Sequence, residues 1–112
     1  MNTPPIDLQF FEDASDGDHA ELMELVQTAR TDLKQQLDAL AGALRGADLI
    51  IIKNAAHKVK GSSAMIGAHG LKAACLQIET AAKAGTSGPL AGLALQCESE
   101  ARRVMAALDA CR

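Results

Sequence analysis

The chain is nearly without aromatic residues: Phe10 and Phe11 are the whole set, 2% of 112 residues, with no Trp or Tyr. Its apolar fraction is still 48%, so the core has to be built from Ala, Leu, Ile, Val and Met. Ala and Leu lead the helix-propensity scale, and β-branched residues are too few to suggest a sheet. Only Leu49-Ile50-Ile51-Ile52 reads locally as a buried strand, and it lies inside a longer helical pattern. Cysteine is scarce too. Cys75, Cys97 and Cys111 are an odd set without CxxC spacing, which speaks against a disulfide framework. They read as reduced thiols in a cytosolic setting, each a small core hydrophobe. No basic block or Arg-rich stripe appears. The 11 basic and 14 acidic residues are spread out for a net charge of −3, so the electrostatic footprint of a nucleic-acid binder is missing. No apolar run approaches the ~20 residues of a membrane span, and the start shows no signal-peptide pattern. The expectation is a cytoplasmic chain that inserts in no membrane.

The length suits one domain over residues 1–112 with a single core. Pro4 and Pro5 precede Ile6, Leu8, Phe10 and Phe11, and Pro favours the first helical position, so a brief helix is expected from about residue 5 to 12. The polar break Ser15-Asp16-Gly17-Asp18 supplies caps for the next element. Leu22, Val26, Ala29, Leu33, Leu37, Leu40 and Leu44 then recur at three- or four-residue spacing, which gives an amphipathic helix over about 18–44. Gly42 and Gly46 mark a turn before a helix over about 47–68, and Gly67 and Gly70 bracket its end. Leu71, Ala74, Cys75, Ile78 and Ala82 carry a fourth helix, about 70–84. After Gly85-Thr86-Ser87-Gly88-Pro89, Leu93, Cys97, Ala101, Val104, Leu108 and Cys111 carry the last, about 90–111. Short connections between long helices imply antiparallel neighbours. The fold class is all-α: an up-down four-helix bundle with a short extra N-terminal helix.

One stretch carries chemistry: Ala55-Ala56-His57-Lys58-Val59-Lys60-Gly61-Ser62-Ser63-Ala64-Met65-Ile66-Gly67. At ~100° per residue, Ile52, Ala55, Val59, Ser62, Ser63 and Ile66 fall away from His57 and read as core. Lys53, Asn54, Lys60, Gly61 and Ala64 surround the histidine, which therefore points outward. Gly61 is odd there, because a mid-helix glycine costs ~1 kcal/mol relative to Ala. Its missing Cβ clears space beside the imidazole for another molecule's backbone. A neutral imidazole is an available nucleophile near neutral pH, and Lys60 at i+3 could offset the charge of a transferred phosphoryl group. One ring nitrogen would present its lone pair while the other donates to a partner. The plain alternative stands beside this: a solvated surface histidine, a glycine serving helix packing, and Ser62-Ser63 bonding back to their own helix. His19, near a helix start, and His69, in a turn, read as inert.

The run His57-Lys58-Val59-Lys60-Gly61-Ser62, with Gly67 six positions after the Lys-Gly, resembles the motif of histidine-containing phosphotransfer (HPt) domains. That motif is His-x-Leu-Lys-Gly-Ser/Ala, so Val59 for Leu is the single departure in the run. The order of helices resembles the family along the whole chain. The resemblance implies that His57 is a phosphoacceptor, taking its group from one receiver-domain aspartate and passing it to another. It implies that Lys60 steadies the phosphoryl oxygens, and that Gly61, with Ala64, Asn54 and Lys53 around it, permits close docking. The family often has Gln or Glu 22 residues after the histidine, bonded to the imidazole; here that residue is Glu79, which also reads as a solvated helix-face glutamate. Receiver domains or a hybrid sensor kinase would be the partners, docking on the first helix and the helices of His19–Leu44 and Asp48–Ala68. The receiver would bring its own Mg²⁺, and this chain would need no cofactor. The chain could be free-standing or the cytoplasmic C-terminal module of a membrane-bound hybrid kinase.

No ATP signature accompanies the motif. In Lys60-Gly61-Ser62-Ser63 the Lys precedes the Gly and the glycine spacing of a phosphate loop is wrong, so the chain is expected to carry phosphate without kinase activity of its own. Two rivals remain at this point. One is a non-catalytic docking module with an incidental His57 and an apolar patch near Phe10 and Phe11. The other is a metal-binding bundle using His57, His69 and the cysteines, for which no His-x-x-x-His or Glu-x-x-His pair exists.

Overall fold

The computed structural model describes residues 4–111. Five helices follow one another: α1 (Leu8–Ser15), α2 (His19–Leu44), α3 (Leu49–Met65), α4 (His69–Lys83) and α5 (Leu90–Ala110). The described residues contain no strand. α3 packs on α2 and α4, α5 closes the ring against α4 and α2, and α1 lies on α2. The expected all-α bundle is the fold observed.

The starts of α1, α2 and α3 follow side-chain caps, while α4 and α5 begin without one. Asp18 accepts from the Glu21 amide at 3.1 Å to open α2, and Asp48 accepts from the Ile50 and Ile51 amides at 2.9 and 3.3 Å to open α3. α1 corrects the expectation of a helix over about 5–12. It begins at Leu8 because the Asp7 carboxylate accepts from the Gln9 amide at 2.9 Å, and Pro4 and Pro5 fall outside it. A carboxylate satisfies an orphan donor, which a proline at the first position merely avoids wasting.

α3 stops at Met65, short of the expected Ala68. Gly67 takes a left-handed φ of 67°, which lets the Ala68 amide reach Ser63 O at 2.9 Å and the Gly67 amide reach Ala64 O at 3.4 Å. This is a Schellman closure, in which orphan carbonyls of the last turn find donors. Gly67 is also pressed against the N-terminal segment: a Cβ there would stand 2.4 Å from Asp7 Cβ, while the Asp7 amide donates to Ile66 O at 2.9 Å. The glycine at the end of the motif therefore seats the chain that enters α1 against the end of α3.

The core runs along all five helices, with Phe11, Leu33, Leu40, Ile52, Val59, Leu71, Ile78, Val104 and Leu108 almost fully buried. Three readings need correction. Ala56, absent from the expected core, is fully buried, and Ala55 only half so, because the buried stripe of α3 lies between α2 and α4 and not opposite His57 alone. Of the run Leu49-Ile50-Ile51-Ile52, only Ile52 is buried, while Ile50 and Ile51 stand exposed in the first turn of α3. Phe11 is buried, so an exposed patch there can use Phe10 alone, which packs edge-on against it with ring centroids 5.2 Å apart. No helix of the described residues is long and apolar enough to cross a membrane.

Candidate functional site

His57 projects from the middle of α3 with 65% of its side chain exposed. Its Nδ1 lies 2.7 Å from Glu79 Oε2 on α4, and Lys60 Nζ donates to Glu79 Oε1 at 2.6 Å. Three residues named from the sequence therefore meet across the α3–α4 seam. The hairpin geometry explains why. α3 and α4 run antiparallel through a tight turn at Gly67, so residues 57 and 60 of one helix face residue 79 of the next.

Glu79 is not a solvated helix-face residue. It is buried to 4% exposure beside Ile78, and both of its oxygens are occupied. A buried carboxylate is tolerable when it is paired and hydrogen-bonded. The Lys60 hydrogen bond, and behind it the His57 bond, hold its carboxyl below the ordinary value of 4.5 against the opposing effect of burial. Ionised, it offers only acceptors. Nδ1 of His57 must then be the donor, and the lone pair of a neutral ring is left on Nε2.

The surroundings of His57 on α3 are open. Asn54, Lys58, Gly61 and Ala64 are exposed, and Lys53 is half-buried. A Cβ built on Gly61 meets nothing within 4 Å. Packing within this chain thus gives no reason for a glycine there, which removes the helix-packing explanation for it. Ser62 and Ser63 divide their duties: Ser63 Oγ donates back to Val59 O at 2.7 Å, while Ser62 Oγ donates to Gln36 Oε1 of α2, also at 2.7 Å. Of these two bonds, only that of Ser62 ties α3 to a neighbouring helix.

Sequence reasoning missed the apolar residues around this face. Ile50 (67% exposed) and Met65 (64%) flank His57 two turns away on either side of α3, and Leu76 of α4 is exposed as well. Helical spacing from His57 would have found Ile50, but its place in an apolar run hid it. His19 is exposed on the first turn of α2, and His69 is the first residue of α4, not part of a turn. Neither joins the site. Among the described residues no group of three or more His, Cys, Asp or Glu is placed to hold a metal ion.

The site is thus a solvent-facing imidazole held at one nitrogen by a buried carboxylate, on the surface of a helical bundle. The family model of the Hpt domain matches residues 24–111, which include α3 and α4 whole, and the chain belongs to that family. Among solved structures it is similar to histidine-containing phosphotransfer protein B (HptB) from Pseudomonas aeruginosa PAO1, with a TM-score of 0.82 and 26% sequence identity over 96% of this chain and 94% of that one. No curated protein matches. Family and structural likeness together assign the chain a role in phosphotransfer relay.

Proposed function

We propose that His57 accepts a phosphoryl group from the aspartyl phosphate of one receiver domain and yields it to the aspartate of another. The observation that carries this reading is the bond between His57 Nδ1 and the buried Glu79 carboxylate, which leaves Nε2 as the nucleophile. Nε2 attacks phosphorus, the N–P bond forms, and the P–O bond to the aspartate breaks, releasing its carboxylate. The ring keeps the Nδ1 proton and becomes cationic. Glu79 stabilises that charge as it forms, because it is already in place and already ionised. In the return step the second aspartate attacks phosphorus, the N–P bond breaks, and the ring is neutral again without any proton having moved.

Lys60 sits within one helical turn of His57 and is held by Glu79 before transfer. The arriving phosphoryl oxygens compete for its ammonium and share its charge, in a transfer that depends on positioning and electrostatics. Gly61, with Asn54, Lys53 and Ala64, forms the floor on which the receiver backbone rests. The receiver supplies the aspartate and its Mg²⁺, and the chain needs no cofactor and no ATP. Its place is the cytoplasm, as a separate carrier or as a module of a hybrid sensor kinase.

The test is label transfer from a phosphorylated receiver domain with Mg²⁺, beside a His57→Gln control. The expected result is label on the wild type alone, lost in acid and stable in base. If the folded protein took no label from any of several receiver domains, a docking module with an incidental histidine would be the better description.

A further inference from the structure

Behind the site, α4 and α5 bring two thiols together. Cys75 Sγ and Cys97 Sγ lie 3.8 Å apart, Cys75 with no exposure and Cys97 with 4%. Two features separate this pair from ordinary core cysteines. Cys97 borders a cavity of about 340 Å³ between α2 and α5, walled by Leu37, Leu40, Ala94 and Ala101 with Asp38 and Glu98 among its lining. A small oxidant thus has room beside Cys97, while Cys75 has no exposed surface. Cys75, in turn, precedes Glu79 by one turn of α4, close enough for the charges of Glu79 and Lys60 both to act on its thiol.

We propose that Cys75 and Cys97 are a modification site, an oxidisable dithiol that a small peroxide converts to an intramolecular disulfide, and that closing this bond loosens the hold of Glu79 on His57. The Cys97 sulfur attacks one peroxide oxygen; the O–O bond breaks and the other oxygen leaves as hydroxide, to become water. Cys97 is now a sulfenic acid. The Cys75 sulfur attacks it, the S–O bond breaks, and a second water departs with the Cys75 proton. Two thiols lose two electrons and two protons, and one peroxide is reduced to two waters. The order of events agrees with the hydrogen bond between the thiols, which favours the Cys97 thiolate against burial and keeps Cys75 protonated.

A disulfide requires the sulfurs to close to ~2.05 Å. Interiors are packed too tightly for side-chain rotation to absorb the whole change, so α4 is drawn toward α5. Glu79 moves with α4 while His57 and Lys60 remain on α3, and both hydrogen bonds across that seam lengthen. The consequence for transfer rests on the function proposed above. The disulfide and its reach to His57 do not.

The experiment therefore reads the protein without a receiver. The full chain is treated with graded hydrogen peroxide and followed by intact mass, peptide mapping and the imidazole nitrogen resonances of His57. The expected result is loss of two hydrogen atoms per chain, a linked Cys75–Cys97 peptide and shifted His57 resonances, all restored by a dithiol reductant. Cys111→Ala should respond as the wild type does. Cys75→Ala should stop at a sulfenic acid that dimedone captures, which keeps the test informative if Cys97→Ala folds poorly. Unchanged mass, linkage of two chains through Cys111, or a Cys75–Cys97 disulfide that leaves the His57 resonances unmoved would each overturn the proposal.

Discussion

His57 meets Glu79 between α3 and α4, Cys75 meets Cys97 between α4 and α5, and in both seams the partners are 22 residues apart. The two hairpins thus place equivalent positions face to face. What differs is access to water. At the first seam one partner is 65% exposed, so an imidazole can bond a buried carboxylate and keep its other nitrogen in solvent. At the second both partners are buried, and only small, weakly polar sulfur fits there without unsatisfied groups. Fold geometry sets which residues meet, and exposure sets what chemistry the meeting can support.

α4 belongs to both seams, and Ile78 sits at its centre, fully buried beside Glu79. Ile78→Ala should be the most damaging change to the bundle, destabilising it by roughly 2–5 kcal/mol. Urea unfolding would show this as a lower midpoint. An undiminished midpoint would mean that the two seams hold together independently of the helix core between them.

Glu79→Leu breaks the first seam alone. A hydrogen bond to a charged group contributes ~1.5–3 kcal/mol, so phosphotransfer to His57 should slow roughly ten- to hundredfold if that bond is worth as much in the transition state. Glu79→Gln keeps an acceptor for Nδ1 without the charge and should fall between this variant and the wild type in single-turnover label transfer. The second seam should be untouched, so peroxide should still join Cys75 to Cys97.

The seams should also separate by pH. Glu79 has its carboxyl depressed, first by the Lys60 hydrogen bond. The unfolded chain therefore binds that proton before the folded one does as pH falls. The stability it contributes is fully present above the ordinary 4.5 and is lost as pH drops through the lower folded value. Urea midpoints measured downward through the carboxylate range should fall more steeply for the wild type than for Glu79→Gln.

The smallest expected effect has opposite signs in two assays. A Cβ at Gly61 meets open space, so Gly61→Ala should stabilise the helix by about 0.5–1 kcal/mol. The same methyl group would stand on the proposed docking floor, so transfer should weaken while thermal stability rises. A gain in both would remove Gly61 from the docking floor.

Local pattern made much of this visible before any coordinates. The three-and-four spacing from Leu22 to Leu44 matches α2 to within a residue, and the His57 motif stood out because Gly61, a glycine inside a helix, needs a reason. Competition between local signals was harder to read. Pro5 and Asp7 both open helices well, and only the carboxylate's actual bond shows which one did. Long-range partnership was not legible from local pattern, and the family resemblance alone set Glu79 beside His57. Glu79 sits at the edge of the apolar stripe of α4, where a solvated and a buried glutamate look alike until Lys60 and His57 supply its partners. The Cys75–Cys97 contact likewise has no sequence signature, because each cysteine reads as one more small apolar residue on its own helix.

The account turns on the ring nitrogen that Glu79 leaves free. The direct measurement is a phosphorus–nitrogen correlation spectrum of the phosphorylated, ¹⁵N-labelled protein. Phosphorus coupled to Nε2 of His57, with the proton retained on Nδ1, is the predicted result. Phosphorus on Nδ1, or on any residue other than His57, would contradict the account.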